Sequence, residues 1–136
     1  MSKQRPIHHG LVALAALAIG GCSMMGSKPP PPPAPNLYPS HYKEVVADFL
    51  RTYLSNPVKV KDAFISEPTL KPVAGDSRYV SCVRYNARNS QGQYEGNDEM
   101  MAIYYGGGVN QFLPINRELC ANAVYQRFPE AEVLVP

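Results

Sequence analysis

The chain has 136 residues, 45% of them hydrophobic, which is enough for one small folded domain and argues against a wholly disordered chain. Two of its 13 basic side chains, Lys3 and Arg5, lie in the first 21 residues, so the remaining chain carries 11 basic against 11 acidic side chains. This neutral balance argues against nucleic-acid binding, which needs a concentrated basic surface.

The N-terminal segment has the parts of an export signal. Basic residues precede an apolar run from Leu11 to Gly20. A run of about ten residues is far shorter than the roughly 20 that a membrane-spanning helix needs. The run leads through small residues into Cys22. A buried helix with a stray cysteine and an uncleaved anchor are the alternative interpretations.

The stretch Ile19, Gly20, Gly21 and Cys22 resembles the lipobox of bacterial lipoproteins. This resemblance implies that residues 1–21 are removed as a signal peptide, that a diacylglycerol is attached to the Cys22 sulfur, and that the new amine is usually acylated. Two or three acyl chains give stable membrane attachment, whereas one is marginal. By the sorting rule of Gram-negative lipoproteins, Ser23 in place of Asp implies the outer membrane, facing the periplasm, over the inner membrane.

Residues 22–39 are interpreted as the lipidated cysteine and a proline-rich tether. Pro29 to Pro33 form an unbroken run, and Pro35 and Pro39 follow. Proline fixes φ and removes the backbone donor, so the segment should be a solvated polyproline II helix. At about 3.1 Å per residue it could reach on the order of 50 Å. A spacer is the favoured interpretation, and a ligand for a proline-reading module is the alternative.

Residues 40–136 are expected to form a single domain of the α+β class. Apolar residues follow helical spacing from Tyr42 to Leu54, Ser40 is placed to cap the helix, and residues 55–57 (Ser-Asn-Pro) should end it. The single apolar stripe predicts an N-terminal amphipathic helix packed on a sheet.

About four strands are predicted after this helix, at Val60–Pro68, Arg78–Arg88, Glu99–Tyr105 and Val109–Ile115. The stretch Lys71–Ser77 is interpreted as a turn. No crossover helix separates the strands, so the sheet should be mainly antiparallel. In the second strand one face carries Tyr79, Ser81, Val83, Tyr85 and Ala87, and the other carries Val80, Cys82, Arg84 and Asn86.

A short C-terminal helix is predicted over Asn116–Phe128. Asn116 is placed to cap it, and Leu119, Ala123 and Val124 should face inward.

The stretches FLRTYLSNPVKVKDAFIS and YVSCVRYNARNSQGQYEGN resemble a small family of poorly characterised bacterial envelope proteins. The similarity covers about residues 43 to 105. It implies an envelope lipoprotein domain with no assigned chemistry, and it transfers no catalytic residue.

Two cysteines, Cys82 and Cys120, remain once Cys22 is lipidated. An even pair in an oxidising compartment predicts one disulfide, joining the central strand to the last helix. Two separate buried thiols are the alternative interpretation.

The residues for catalysis or metal binding are missing from the mature chain. There is no CxxC motif, and His41 is the one histidine after residue 21. Asp98 and Glu99 are adjacent, so on a strand they point to opposite faces and cannot form a close acid–base pair. We therefore expect no metal, no cofactor and no enzymatic activity.

The tyrosines of the sheet and its loop are the remaining candidate site. If they are exposed together, they would suit protein recognition or sugar stacking. The alternative is that they are half-buried residues packed under the helix. The residues are Tyr79, Tyr85, Tyr94, Tyr104 and Tyr105.

The sequence favours a lipid-anchored envelope lipoprotein whose periplasmic domain is a structural or protein-interaction module with an unknown envelope partner. A periplasmic inhibitor, or an accessory such as a pilotin of a secretion system, is a second hypothesis. A domain that binds peptidoglycan or another glycan is a third, supported by the tyrosines alone.

Replacing Cys22 with alanine should leave a full-length precursor without acyl chains, because the thiol is the proposed attachment site. Labelling cells with radioactive palmitate checks this, with the wild-type chain as the positive control. Equal labelling of the wild type and Cys22→Ala would contradict the anchor assignment.

Overall fold

The computed structural model describes residues 26, 28–32, 34 and 36–136. The backbone divides into two units, Met1–Pro30 and Pro31–Pro136. The described residues of the first unit, 26 and 28–30, are exposed and have no regular secondary structure. Every helix and strand below belongs to the second unit.

Helix α1 spans Tyr42–Tyr53 and buries Val46, Ala47 and Leu50. Its spacing of apolar residues places these three side chains on one stripe, which faces the sheet. The prediction that Ser40 caps the helix is wrong. The N-cap is His41, and no side chain makes a capping hydrogen bond there.

Six strands and a second short helix follow α1 in the described part of the chain. They are β1 (Lys61–Ser66), β2 (Thr69–Val73), β3 (Asp76–Asn86), β4 (Asp98–Tyr105), β5 (Gly108–Pro114), β6 (Tyr125–Arg127) and helix α2 (Pro129–Glu132). The domain is thus a mainly antiparallel sheet with two short helices, as expected for the α+β class. The number of strands is six and not about four.

One of the additional strands, β2, lies where a turn was predicted. The turn itself consists of Ala74 and Gly75, both at positive φ. Two-residue turns of this kind match the twist of the strands that they connect, so β2 and β3 form a tight hairpin. The flanking residues, Val73 and Asp76, are paired across it.

The long strand β3 organises the sheet, whose order is β5-β4-β3-β1-β6, with β2 also paired to β3. Residues 76–80 of β3 pair with β2 and residues 83–86 pair with β1, while β4 covers the opposite edge from Val80 to Tyr85. All of these pairings are antiparallel. Both edges of β3 are therefore hydrogen-bonded to other strands.

One face of the sheet carries the larger core, under α1 and α2. Ile65, Val83, Ala102 and the rings of Tyr85 and Tyr104 pack against the buried side chains of the helices. The predicted alternation in β3 is confirmed, because Val83 and Tyr85 join this core while Val80 and Cys82 join a second cluster.

The predicted helix over Asn116–Phe128 is wrong. Residues 117–122 form turns, and residues 125–127 form strand β6, which pairs with β1. Asn116 does act as a cap, but of a turn: its Oδ1 accepts the backbone N–H groups of Glu118 and Leu119 at 2.9 and 3.2 Å. Helical periodicity was read from too few apolar residues, and Val124, expected inside, is 77% exposed.

Packing against the domain begins before residue 40, where the tether was predicted to end. Pro39 is buried, and the ring of Tyr38 contacts the ring of Tyr79 edge-on, with their centroids 5.2 Å apart. Leu37 would lie 3.4 Å from a Cβ placed on Gly107. The last residues of the proline-rich segment thus lie on the sheet.

The free edges of the sheet are poorly suited to pairing with a further strand. Pro114 lies in the outer strand β5 and Pro72 in β2, and neither has a backbone N–H to donate. The register of β5 shifts between Ile103 and Tyr104 of its partner strand, and β6 has three residues. Prolines, bulges and short strands protect sheet edges from aggregation.

Replacing Leu50 with alanine should lower the free energy of unfolding by about 2–5 kcal/mol, because the side chain is fully buried between α1 and the sheet. Leu70, which is 52% exposed, provides the matched control, and Leu70→Ala should cost no more than about 0.5 kcal/mol. Urea unfolding of the mature chain, followed by circular dichroism, measures both. Equal losses would show that the core is placed wrongly.

Candidate interaction surface

The face of the sheet opposite the helices, here called the open face, is covered less completely than the other. Its buried cluster consists of Val80, Cys82, Met101, Ile103 and Cys120. Side chains of residues 115–124, here called the covering segment, pack on this cluster, among them Ile115, Leu119 and Ala123. This segment has no helix or strand of its own.

The predicted disulfide is confirmed: it joins Cys82 in the middle of β3 to Cys120 in the covering segment, with their Cα atoms 6.0 Å apart. The bond closes a loop of 38 residues. Few apolar side chains dock this segment, so the covalent link holds it on the sheet. The prediction placed Cys120 in a final helix, whereas the structure places it in a series of turns.

Arg84 lies on the open face of β3, the strand that also carries Cys82, and its guanidinium contacts two aromatic rings. Its guanidinium carbon lies 5.2 Å from the ring centroid of Phe64 and 4.9 Å from that of Tyr125. Arg127 approaches the Phe64 ring from β6, at 5.3 Å. The strands β6, β1 and β3 are adjacent, so these side chains lie together on one face. They are here called the arginine–aromatic row: Arg127 and Tyr125 on β6, Phe64 on β1 and Arg84 on β3.

Arg84 and Arg127 each lie near one carboxylate, but at a distance longer than that of a close ion pair. Arg84 Nη1 is 4.0 Å from Glu99 Oε1, and Arg127 Nη2 is 3.7 Å from Glu132 Oε2. Partly exposed pairs of this kind contribute little to stability. Each guanidinium therefore keeps donors for a further acceptor, while its ring contacts limit the directions in which it can point.

The phenol of Tyr125 stays protonated at neutral pH. Burial and the nearby Glu99 carboxylate raise its pKa, and the Arg84 guanidinium opposes them. The hydroxyl group is therefore a hydrogen-bond donor of the row. Together the row offers two guanidinium groups, two rings and a hydroxyl group, which can form charge-assisted hydrogen bonds and aromatic contacts.

A cavity of about 350 Å³ lies next to the disulfide, under the covering segment. Cys82, Leu119 and Ala123 supply its apolar lining, and Glu67 and Lys71 supply charges at its rim. The buried Ser66 Oγ accepts the backbone N–H of Cys82 at 2.8 Å. The cavity shows that the segment does not fill the space above the sheet.

The five tyrosines singled out in the sequence do not form one surface. Tyr85 and Tyr104 are each 1% exposed and belong to the core, where the Tyr104 hydroxyl donates to Ser81 Oγ at 3.0 Å. Tyr79 is half-buried under Tyr38. Tyr94 and Tyr105 are exposed, but Tyr94 lies over Lys61 and Tyr105 under Arg78.

The proposed lipidation site, Cys22, and the cleavage motif Ile19, Gly20 and Gly21 lie outside the residues that the structure describes. Within the described ranges, no helix has the length and hydropathy required to cross a membrane. No three potential metal-ligating side chains come together in that same part of the chain.

Comparison with known proteins identifies no relative: no family model, no curated protein and no solved structure matches the chain.

Sequence reasoning missed most of the arginine–aromatic row. It placed Arg84 on the same face as Cys82, but it could not place Tyr125 or Arg127, because β6 was taken for the end of a helix. The sequence did contain a strand signal: Val124 and Gln126 alternate with Tyr125 and Arg127, as residues on opposite faces of a strand do. Three residues are too few for such a period to be distinguished from a helical one.

Removal of the disulfide should release the covering segment. In the chain-entropy model a closed loop of 38 residues is worth about 3–4 kcal/mol, and the double variant Cys82→Ala/Cys120→Ala should lose about that much stability. Hydrogen exchange should rise most in residues 117–124, while β6 stays protected by its pairing with β1.

The measurement is hydrogen exchange with mass spectrometry on the mature chain, before and after reduction. The Leu113→Ala variant, altered on the same face outside the covering segment, is the control and should keep residues 117–124 protected. Two free thiols in unreduced protein taken from the periplasm would contradict the pairing.

Proposed function

We propose that the chain is a lipid-anchored envelope lipoprotein whose domain binds a protein partner through the arginine–aromatic row. The lipid on Cys22 would hold the protein at the outer membrane, and residues 23–36 would let the domain reach into the periplasm. The domain itself would carry out recognition and no catalysis.

The anchor is supported by the order of segments in the sequence: a basic start, a short apolar run, Gly-Gly-Cys and then prolines. The Cys82–Cys120 disulfide supports an oxidising compartment, because such bonds are rare in proteins of the cytosol. An exported domain that is joined to a membrane by a lipid anchor and a proline-rich tether meets partners in the space next to that membrane.

Recognition by the arginine–aromatic row is supported by one observation above all, the contact of the Arg84 guanidinium with the rings of both Phe64 and Tyr125. Arginine and aromatic residues are the types that contribute most to protein interfaces. A guanidinium whose direction is already restricted loses less entropy when it binds.

The partner expected here is a protein segment that carries a carboxylate. Arg84 and Arg127 approach the Phe64 ring at similar distances, from the strands β3 and β6 that flank β1 on either side. A carboxylate can accept two parallel N–H bonds from a guanidinium, and its main chain can cover the rings beside it. Their present partners, Glu99 and Glu132, are weak competitors at 4.0 and 3.7 Å.

Replacing Arg84 with alanine should reduce capture of the partner by about tenfold or more, as expected for truncation of an arginine at the centre of an interface. The experiment crosslinks whole envelopes, purifies the tagged lipoprotein and quantifies the adducts. Arg78→Ala is the matched control, since Arg78 also lies over a tyrosine ring but outside the row.

The adduct should persist in Arg78→Ala and be lost in Arg84→Ala, and both variants should keep the wild-type melting temperature to within a few degrees. If Arg84→Ala retains the adducts in full, the row is not the interface. If the wild type gives no adduct at all, the protein-interaction assignment is wrong.

A further inference from the structure

A second concave site lies on the helix side of the sheet, between the end of α1 and the loop 88–97. It is a cleft of about 430 Å³. Tyr53 and Ser55 line it from the end of α1, Tyr85 from β3, and Asn97 and Asp98 from the start of β4. None of these residues belongs to the arginine–aromatic row.

Tyr85 is the unusual residue of this cleft. The residue is 1% exposed and lines the cleft, and no hydrogen bond joins its hydroxyl group to another described residue. Tyr104, buried to the same extent, has Ser81 as its partner. Among the described residues, the buried polar atoms without a partner do not include the Tyr85 hydroxyl, so this group is accessible from the cleft, where an acceptor on a ligand could take its hydrogen bond.

The Tyr85 hydroxyl is a donor under physiological conditions. Burial, and secondarily the Asp98 carboxylate, raise the pKa of Tyr85 above the ordinary value of a phenol. A ligand that receives this hydrogen bond must therefore offer an acceptor. The phenol oxygen also accepts, so an ammonium group, attracted by Glu95 and Asp98, is the alternative ligand that the experiment must distinguish.

Tyr53 provides a flat apolar wall. Its ring is 48% exposed, but two other rings hold it in place. Phe49 stacks on it with centroids 5.5 Å apart, and Phe112 meets it edge-on at 5.1 Å. An exposed tyrosine that is fixed in this way presents its surface to a ligand at little further cost in side-chain entropy.

The charged groups of the cleft disfavour an anionic ligand. Its one cationic side chain among the lining residues, Arg88, is engaged: Nε donates to the Val58 carbonyl at 3.2 Å and Nη2 lies 3.4 Å from Asn56 Oδ1. Two carboxylates, Glu95 and Asp98, line the same cleft. They can accept hydrogen bonds from hydroxyl groups and would repel a phosphate or a carboxylate.

The loop that forms the far wall is already ordered by its own contacts. Asn89 Oδ1 accepts the backbone N–H groups of Gln91 and Gln93, each at 3.0 Å, and Asn89 Nδ2 donates to Glu95 Oε1 at 2.9 Å. The Tyr94 hydroxyl donates to the Lys59 carbonyl. The cleft is thus formed before any ligand binds.

We propose that this cleft binds a neutral saccharide, with the Tyr53 ring stacked on a sugar face and with Tyr85 and Asp98 hydrogen-bonded to its polar groups. Sugar hydroxyl groups both accept, as the Tyr85 hydroxyl requires, and donate, as the Asp98 carboxylate requires. The inference does not depend on the protein-binding surface, because the two sites share no residue.

The test uses the full mature chain in a detergent without a sugar headgroup, so that the detergent does not compete. The N-acetylglucosamine trimer and maltotriose are the neutral probes, and N-acetyl-lysine amide is the cationic probe. Binding is followed by NMR titration of the backbone amides. At least one of the sugars should bind saturably, shift amides of the loop 88–97, and bind more tightly than the lysine derivative.

Two variants with matched controls locate the site. Tyr85→Phe removes one hydroxyl group and should weaken sugar binding by about threefold to tenfold, whereas Tyr104→Phe, which removes an equally buried hydroxyl outside the cleft, should not. Tyr53→Ala should weaken it by tenfold or more, whereas Tyr105→Ala, at another exposed tyrosine, should leave it unchanged.

Absence of saturable binding of both sugars would overturn the proposal. So would binding of the lysine derivative in place of the sugars, or equal weakening by the variants and their controls. If Tyr53→Ala does not fold, Tyr85→Phe alone decides, since it keeps the ring that the core requires.

Discussion

The domain depends on covering both faces of one strand. Residues Val80 to Val83 of β3 are all buried, so consecutive side chains on opposite faces both need a layer above them. Helices α1 and α2 supply one layer through apolar packing. The segment 115–124 supplies the other, and the disulfide compensates for the small apolar area that it brings. A small domain with one true core often needs such a covalent link.

The unequal layers determine where a partner can bind. The helix side is closed over its centre by Leu50, Phe128 and Leu134, and a cleft remains at one end, past the last turn of α1. The open face ends at the border of the covering segment, where Arg84 and its rings lie. Prolines and a bulge hinder the pairing of the outer strands with a further strand, so binding by strand addition is disfavoured. A partner would therefore contact side chains on the two faces of the sheet.

The strongly periodic parts of the chain were the predictable ones. Strands β1, β3, β4 and β5 were expected near their observed positions, and the pairing of Cys82 with Cys120 followed from an even number of thiols. Strand β2 was missed because Pro72 and the Ala74-Gly75 turn resemble a loop in sequence. Strand β6 was missed because three residues carry no measurable period, and its stability comes from pairing with β1, which lies about 60 residues away in sequence.

The candidate sites were less predictable than the fold, because they depend on which residues share a face. The tyrosines were selected by residue type, and two of the five fill the core. Tyr53 was counted as part of the helical stripe, but its position at the end of α1 leaves half of its ring exposed. Rings at the margin of a core keep their apolar contacts and still present a surface, and this marginal position cannot be read from residue type.

Arg84 and Tyr85 connect the two proposed sites through the backbone of β3. They are consecutive, so one points to the open face and the other to the helix side. Their cross-strand partners, Glu99 and Asp98, are likewise consecutive in β4, and each lies near its own site.

The side chains of the two sites are separated by the thickness of the sheet and make no common contact. Substitutions at one site should therefore act additively with substitutions at the other, unless a ligand shifts the pairing of β3 with β4. That pairing continues through the buried residues Cys82 and Met101, where the disulfide holds the strand on its open face. A slip of one residue in this pairing would move every side chain of β3 to the opposite face of the sheet, so it would disrupt both faces at once. The fixed register of β3, which is covered on both faces, thus keeps the two sites independent.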